Sequence, residues 1–446
     1  MSTLALGRPG RAKPKKKAKG KKRTRAAAPS TEYNLLLTAT LCLLALGAVM
    51  VFSASSTTQI LKDGNLADSA FYLKRTLIFA GFGLLVMHLT ARHGLLPVRR
   101  LTPFLLVASL FLLFAVLVAG TSANGASRWI GPGSLQFQPS ELAKVALVLY
   151  GADLLAREPK RVRSLQGLMP FLLVAGVACL LVIAEPDMGT TMVIAFSVGA
   201  TLVAAGARPA DLGKIALCLG GLALLMTVIE PYRMARLTGF LHPGSEAAGA
   251  GFQAAQAKIA LGSGGLFGVG IGNGVQKAFY LPEAHTDMIS AVIGEELGML
   301  GILGVVGLFA MLGYAGLRVA QKARDRYGKL LVAGLTSLIL AQATINLFAV
   351  MGLAPLTGVP LPFVSYGNSS LLVTLFAVGL ILNVARGGTA AAGKLRVVEG
   401  GRSPARKRSQ RSQASRGGKS AQSRGGSGGN RRPRRASDGR RRRASG

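Results

Sequence analysis

Charge is scarce through most of this sequence, and acid is scarce throughout. Only 16% of the 446 residues are charged, against about a quarter in an ordinary soluble domain. Asp and Glu number 18 against 53 Lys and Arg, for a formal net charge of +35. Much of that excess sits at the ends. Residues 1–29 hold eleven Lys and Arg and no acid, and residues 387–446 hold eighteen against Glu399 and Asp438. Cysteine is nearly absent. Cys42, Cys179 and Cys218 each lie in an apolar run without ligand spacing, which excludes a disulfide framework or a cysteine zinc site and suggests small buried hydrophobes. The basic N-terminal stretch is too long for a cleavable signal, so the first apolar segment reads as a retained span.

Long apolar runs are what the sequence does have. A membrane-crossing helix needs about 20 mostly apolar residues, and ten segments qualify: Asn34–Ala54, Leu73–Thr90, Thr102–Gly120, Ser140–Leu155, Met169–Ala184, Met188–Gly206, Leu212–Ile229, Met288–Val319, Leu330–Met351 and Ser369–Val384. Glu141, Lys144 and Asp153 interrupt the fourth. Basic residues recur in alternate loops: Arg92, Arg99 and Arg100, then Arg157, Lys160, Arg161 and Arg163, then Arg318, Lys322, Arg324, Arg326 and Lys329. Cytoplasmic loops carry such an excess, so both termini are expected in the cytoplasm. The fold class expected is an all-α polytopic membrane protein. About ten transmembrane helices occupy residues 33–386, with a large extracytoplasmic loop between the seventh and eighth. Residues 1–32 and 387–446 read as disordered basic tails suited to anionic inner-leaflet lipid or a cytoplasmic partner.

Under that topology the outward loops hold more chemistry than connectors need. One carries Arg128 and Trp129, the chain's single tryptophan, and leads through Pro139-Ser140-Glu141 into a span. Ser140 there looks like a helix cap. Glu141 and Lys144 share a helix face, and ionisable groups inside a span are usually paired or functional. A turn, Glu185-Pro186-Asp187, places two acids at the membrane edge, where they would suit a cation or a polar headgroup. The long loop contains Arg233 and Arg236, then thirteen residues from Gly262 to Gly274 of which seven are glycine. No strand precedes them, so they are no dinucleotide fingerprint. The loop ends on Lys277 and Tyr280-Leu-Pro-Glu-Ala-His285-Thr-Asp287, with Asp287 expected to open the eighth span about two turns before Glu295. A final segment, Pro355 to Ser370, holds three prolines before Ser365 and Tyr366. It cannot form a regular helix and suits a re-entrant loop.

These motifs together resemble the SEDS family (shape, elongation, division and sporulation) of polytopic peptidoglycan polymerases, over roughly Tyr33 to Arg386. The resemblance rests on Arg128-Trp-Ile130, Gln138-Pro-Ser-Glu141-x-x-Lys144, Glu185-Pro-Asp187-x-Gly-Thr190, Tyr232-Arg233 with Arg236, Gln276-Lys277 through Asp287 with Gly294-Glu-Glu-Leu-Gly298, and Pro362-x-x-Ser365-Tyr-Gly367-x-Ser-Ser370. The Leu-Pro-Glu-Ala-His form favours the division branch over the elongation branch. Ala278-Phe279 stand where division members often carry an acid, and Asn368 where a second glycine is common.

The resemblance implies a glycosyltransferase of the bacterial cytoplasmic membrane, acting at the division septum. It would join lipid II to a glycan held on undecaprenyl diphosphate, with inversion at the donor sugar. Asp287 would be the general base. Arg128, Trp129, Glu141, Lys144, Arg233, Arg236, Lys277, His285, Ser365 and Tyr366 would bind substrate, the cations serving the diphosphate. No metal site is visible, so a divalent cation, Mg or Mn, would travel with the diphosphate, and no organic cofactor is expected. Implied partners are a class B penicillin-binding protein (a transpeptidase) and other division proteins. A lipid II flippase or other transporter, a division scaffold without catalysis, and an elongation polymerase are the competing readings.

Overall fold

The computed structural model describes residues 30–63, 70–123, 126–131, 136–242, 250–278, 280–282 and 284–389. The basic arms expected to be disordered lie outside the described residues before 30 and after 389. Within the described residues are twelve α-helices: α1 Thr31–Asp63, α2 Phe71–Arg92, α3 Leu95–Ala119, α4 Pro139–Arg157, α5 Leu165–Ala184, α6 Met188–Ala205, α7 Pro209–Ile229, α8 Pro231–Leu241, α9 Ala250–Gly264, α10 Ile289–Lys322, α11 Arg326–Val350 and α12 Asn368–Ala385. One antiparallel hairpin, β1 Thr121–Ala123 and β2 Ala126–Trp129, stands between α3 and α4.

Nine of these helices are long and apolar enough to cross a membrane. The tenth expected span is α4, whose 19 residues carry the three interrupting charges. Its burial explains how it tolerates them. Nearly every side chain of α4 is covered, by α3, α6, α11 and α12 among others, so its charges meet protein rather than lipid. The most enclosed spans are α11 and α12, whereas α7 buries almost nothing. Two helices went unseen in the sequence: the long loop folds into α8 and α9, which pack on each other. Of the cysteines only Cys179 is buried. Cys42 and Cys218 lie on the outer surface of the bundle, which corrects the expectation for both.

The glycine-rich stretch has a definite structural task. The eighth span, α10, is broken at Gly298, where φ is 68° and ψ is −163°. A break frees backbone groups that hydrocarbon cannot satisfy. The glycine-rich segment lies against the break as a strap and bonds them. The amides of Val269 and Gly270 donate to the carbonyls of Glu295 and Glu296, each at 3.0 Å, and the Met299 amide donates to the Gly265 carbonyl at 2.9 Å. The approach is so close that a Cβ on Gly298 would fall 2.4 Å from the Gly268 nitrogen. A side chain there would force the two segments apart.

The Pro355–Gly367 segment is irregular, as its prolines require, and its side chains Leu356, Val359, Leu361, Phe363 and Val364 are buried. The expected re-entrant character thus appears as irregular backbone enclosed by protein.

Candidate active site

Asp287 lies in the turn ahead of α10, not in its first helical turn, because the helix begins only at Ile289. Its backbone carbonyl accepts from the Asn346 side-chain amide of α11 at 2.7 Å. The Thr286 hydroxyl donates to its carboxylate at 3.2 Å. Its side chain is partly exposed. Glu295, expected about two turns beyond Asp287 on one helix, takes different surroundings. Glu295 instead turns to the strap, accepting from the amides of Val275 at 2.7 Å and Gln276 at 3.1 Å.

Two arginines meet Asp287 over a glycine. Arg128, at the end of the hairpin, donates through Nε to the Glu185 carbonyl at 3.2 Å and through Nη2 to the Pro186 carbonyl. Arg236, on α8, donates to the Leu356 carbonyl at 2.8 Å. These backbone anchors fix both guanidinium planes. A Cβ placed on Gly358 would lie 3.8 Å from Arg236 Nη1, 3.8 Å from Asp287 Oδ2 and 4.0 Å from Arg128 Nη1. A carboxylate and two cations from three separate elements therefore surround one small space, and a glycine with φ of 72° forms its floor. Arg236 also lines a small recess, with Phe240, Lys258 and Leu356 among its walls.

The other candidates do not join this space directly. Arg233 is buried and donates to the carbonyls of Ile183 at 2.7 Å and Met226 at 3.3 Å, tying the ends of α5 and α7. Lys277 is buried rather than outward. It pairs with Glu296 at 2.6 Å and donates to Ser53 at 2.9 Å and to the Gly272 carbonyl at 2.8 Å. Glu141 and Lys144 form a buried pair at 2.9 Å, and Lys144 also donates to Gln342 at 2.8 Å. Ser140 does not cap α4. The cap position is Gln138, and the Ser140 hydroxyl is buried. Ser365 closes a turn by accepting from the Leu361 amide at 2.8 Å. Each of these five candidates, Arg233, Lys277, Glu141, Lys144 and Ser365, thus has a structural occupation, which for Glu141 and Lys144 is the pairing that their spacing suggested.

His285 and Tyr366 lie beside the site in an aromatic group with Tyr72. The Tyr72–His285 ring centroids are 4.6 Å apart and the Tyr72–Tyr366 centroids 4.9 Å. The Tyr366 amide donates to the His285 carbonyl at 2.9 Å, so the aromatic contact and a backbone bond together join the Asp287 turn to the irregular segment. Trp129 follows Arg128 and is half-buried.

The Glu185-Pro186-Asp187 turn divides its acids. Asp187 caps α6, accepting from the Thr190 amide at 3.0 Å and the Thr190 hydroxyl at 2.8 Å, and from Gln138 at 3.3 Å. Glu185 is buried, and neither carboxyl oxygen has a hydrogen-bond partner. Burial pushes its pKa up to about 8, Asp187 adds to the rise, and Arg128 opposes it. No group of three or more His, Cys, Asp or Glu that could hold a metal occurs among the described residues.

Two buried amides beside the site escaped the sequence reading. Gln342 and Asn346 stand four apart on one face of α11 and are both buried. Gln342 donates to the Pro360 carbonyl at 3.0 Å, and Asn346 to the Val359 carbonyl at 2.8 Å. The available signal was two carboxamides at helical spacing within an apolar span, where polar groups must find partners.

A family model described as cell cycle protein, covering FtsW, RodA and SpoVE, matches residues 33–389. A probable peptidoglycan glycosyltransferase FtsW from Trichlorobacter lovleyi is 41% identical over 360 residues, spanning 80% of this chain and 94% of that protein. Stage V sporulation protein E of Bacillus subtilis is 41% identical over 358 residues, spanning 79% of this chain and 96% of that protein. Among solved structures, a chain from a peptidoglycan synthase complex that coordinates polymerization and crosslinking is similar at a TM-score of 0.67. It is 28% identical, with 82% of this chain and all of that one covered. Thermus thermophilus rod shape determining protein RodA is similar at 0.60 and 29% identity, covering 81% of this chain and 98% of that one.

Proposed function

The chain belongs to the FtsW, RodA and SpoVE family of cell cycle proteins, and from that premise we propose that it is a peptidoglycan glycosyltransferase that polymerises lipid II at the outer face of the bacterial cytoplasmic membrane. The observation that carries the mechanism is the convergence of Asp287, Arg128 and Arg236 over Gly358. A sugar hydroxyl is a weak nucleophile, and a positioned carboxylate is the usual device for removing its proton. Asp287 takes the proton from the acceptor's 4-hydroxyl as that oxygen bonds to the donor's anomeric carbon. The bond from that carbon to the diphosphate breaks with inversion, and its electron pair leaves with the lipid diphosphate. Negative charge builds on the leaving oxygen, where fixed cations lower the barrier most. Arg128 and Arg236 supply those cations in this reading. A divalent cation, where one takes part, arrives on the diphosphate.

Septal wall synthesis is the role we assign, supported by relatives carrying the FtsW name. Both termini face the cytoplasm in this reading. A class B penicillin-binding protein is the partner, supported by the likeness to a chain of a synthase complex. The basic tails serve anionic lipid, a cytoplasmic protein or other division proteins. The test is polymerisation of lipid II by the purified protein with that partner. Glycan strands should form with the native chain and disappear with Asp287→Asn. Strand formation undiminished in Asp287→Asn removes the general-base assignment.

A further inference from the structure

Asn346 has an unusual position. Its side chain is buried deep in α11, yet it touches both sides of the proposed reaction space. One amide nitrogen reaches two backbone carbonyls, that of Asp287 at 2.7 Å and that of Val359 at 2.8 Å. Val359 follows Gly358, the floor of the site. The Asn346 oxygen accepts from the Ser290 hydroxyl at 3.0 Å, and Ser290 lies in the first turn of α10. All the polar capacity of this carboxamide that matters for orientation is used: two N–H groups on two carbonyls and an oxygen on a hydroxyl. The Ser290 bond fixes which end of the amide faces the site.

We infer that Asn346 is a positioning residue that clamps the Asp287 turn to the Gly358 floor and so sets the distance between the general base and the sugar hydroxyl it serves. The inference rests on the glycosyltransferase reading. The physical reason is that neither clamped segment is regular. Residues 280–288 precede α10, and residues 351–367 lie between α11 and α12 without a helical ladder. Neither segment has the regular hydrogen-bond ladder that makes a helix or strand rigid, and the Tyr366–His285 backbone bond joins them at one point, eight residues past Gly358. Asn346 supplies a common anchor from a rigid, largely buried helix. A displacement of about 1 Å at a reacting group can cost about a hundredfold in rate. Gln342 performs a related service one turn away, through Pro360, but it does not bond the Asp287 turn.

The experiment compares Asn346→Leu, Asn346→Asp and Ser290→Ala with the native chain in complex with its partner. It reads kcat and KM for lipid II per folded molecule. It also reads hydrogen–deuterium exchange over residues 280–288 and 355–361. Asn383→Leu is the control. Asn383 is also a buried amide bonded to backbone carbonyls, those of Thr90 at 3.0 Å and Ala91 at 3.2 Å, and it belongs to no part of the site. Asn346→Leu should lose about a hundredfold in kcat with KM changed less than about threefold, and exchange should rise in both segments. Asn346→Asp keeps the acceptor for Ser290 but lacks both donors, and should behave alike even if Asn346→Leu does not accumulate. Ser290→Ala should fall between. Asn383→Leu should lower thermal stability and leave kcat and the two segments unchanged. A native kcat in the Asn346 variants, or unchanged exchange in either segment, overturns the clamp. Exchange does not depend on turnover, so a native chain that fails to polymerise lipid II removes the activity reading while the clamp is still judged.

Discussion

Two sets of charged side chains lie close to the same loops and are built in opposite ways. Lys144 with Glu141, and Lys277 with Glu296, are at most 2% exposed and face one another at 2.9 and 2.6 Å. Neutral groups, Gln342 for one pair and Ser53 with the Gly272 carbonyl for the other, add to the bonding of each ammonium. Arg128, Arg236 and Asp287 are only partly buried and are held largely through backbone: Arg128 and Arg236 donate to carbonyls, and Asp287 is gripped by its own carbonyl. Their charged ends point at a shared space over Gly358. The lesson is that charge alone does not mark a site in a membrane protein. Charges that pair in the buried interior fix the packing, and charges gathered at a partly exposed turn are placed where a ligand can reach them.

Substitutions can break that contrast, and the largest effect belongs to the converging set. Removing the carboxylate in Asp287→Ala should cost about 10²–10⁴ in polymerisation rate, the range for a general base, with thermal stability near native. Loss of one cation, in Arg128→Ala or Arg236→Ala, should cost about 10²–10³ through the leaving diphosphate. Arg236→Lys should recover only part of this, because lysine lacks the fork that bonds the Leu356 carbonyl and faces the site together. A Glu296→Ala chain should lose about 3–5 kcal/mol of stability, the usual cost of stranding a buried charge, as read by denaturant titration in detergent. Joint replacement of Lys277 by Met and Glu296 by Leu should regain most of it. A joint replacement as unstable as the single one would show that the pair does more than fill space.

The smallest effect sharpens the comparison, because Glu185 belongs to neither set. It is buried like the first and unpaired, but lies on the turn that anchors Arg128. Its folded pKa of about 8 exceeds the ordinary Glu value of 4.5. The native chain then holds a proton that the unfolded chain has released. Its contribution to stability is complete below about 4.5, is lost as pH rises toward 8, and is flat above. Glu185→Gln should therefore flatten the dependence of melting temperature on pH between 5 and 8 by about the loss that Glu185 imposes, and should keep activity. An unchanged slope would mean that Glu185 is already ionised in the folded chain.

Much of the fold was legible in the sequence because span length is a one-dimensional property. The ten apolar runs match α1–α7 and α10–α12, with ends displaced by a few residues at most except at α1, which ends nine residues after the expected Ala54, and at α3, which begins seven residues before the expected Thr102. The loop between the seventh and eighth spans was harder. The pattern of α8 is short and amphipathic, and α9 is poor in large side chains, so neither stands out against a glycine-rich background. The strap could not be read at all, since its glycines answer to a break in α10 that exists only once the two segments meet. At the site, Asp287, Arg128 and Arg236 were named from motifs. Lys277, Arg233 and the Glu141–Lys144 pair were named by the same reasoning and took structural positions, because sequence shows that a charge is present and not which way it turns. Gln342 and Asn346 were missed because a carboxamide carries no charge and belongs to no motif by itself.

The central claim is tested most directly by one paired measurement: initial rate of lipid II polymerisation per folded molecule, with melting temperature, for Asp287→Asn and for Lys277→Met, each with the partner present. The expected result is a rate lower by about 10²–10⁴ at near-native melting temperature for Asp287→Asn. For Lys277→Met the loss should fall on melting temperature, with the rate per folded molecule far less affected. A native rate in Asp287→Asn, or equal losses of rate at unchanged melting temperature in both, would contradict the division between the charges gathered over Gly358 and the buried pairs.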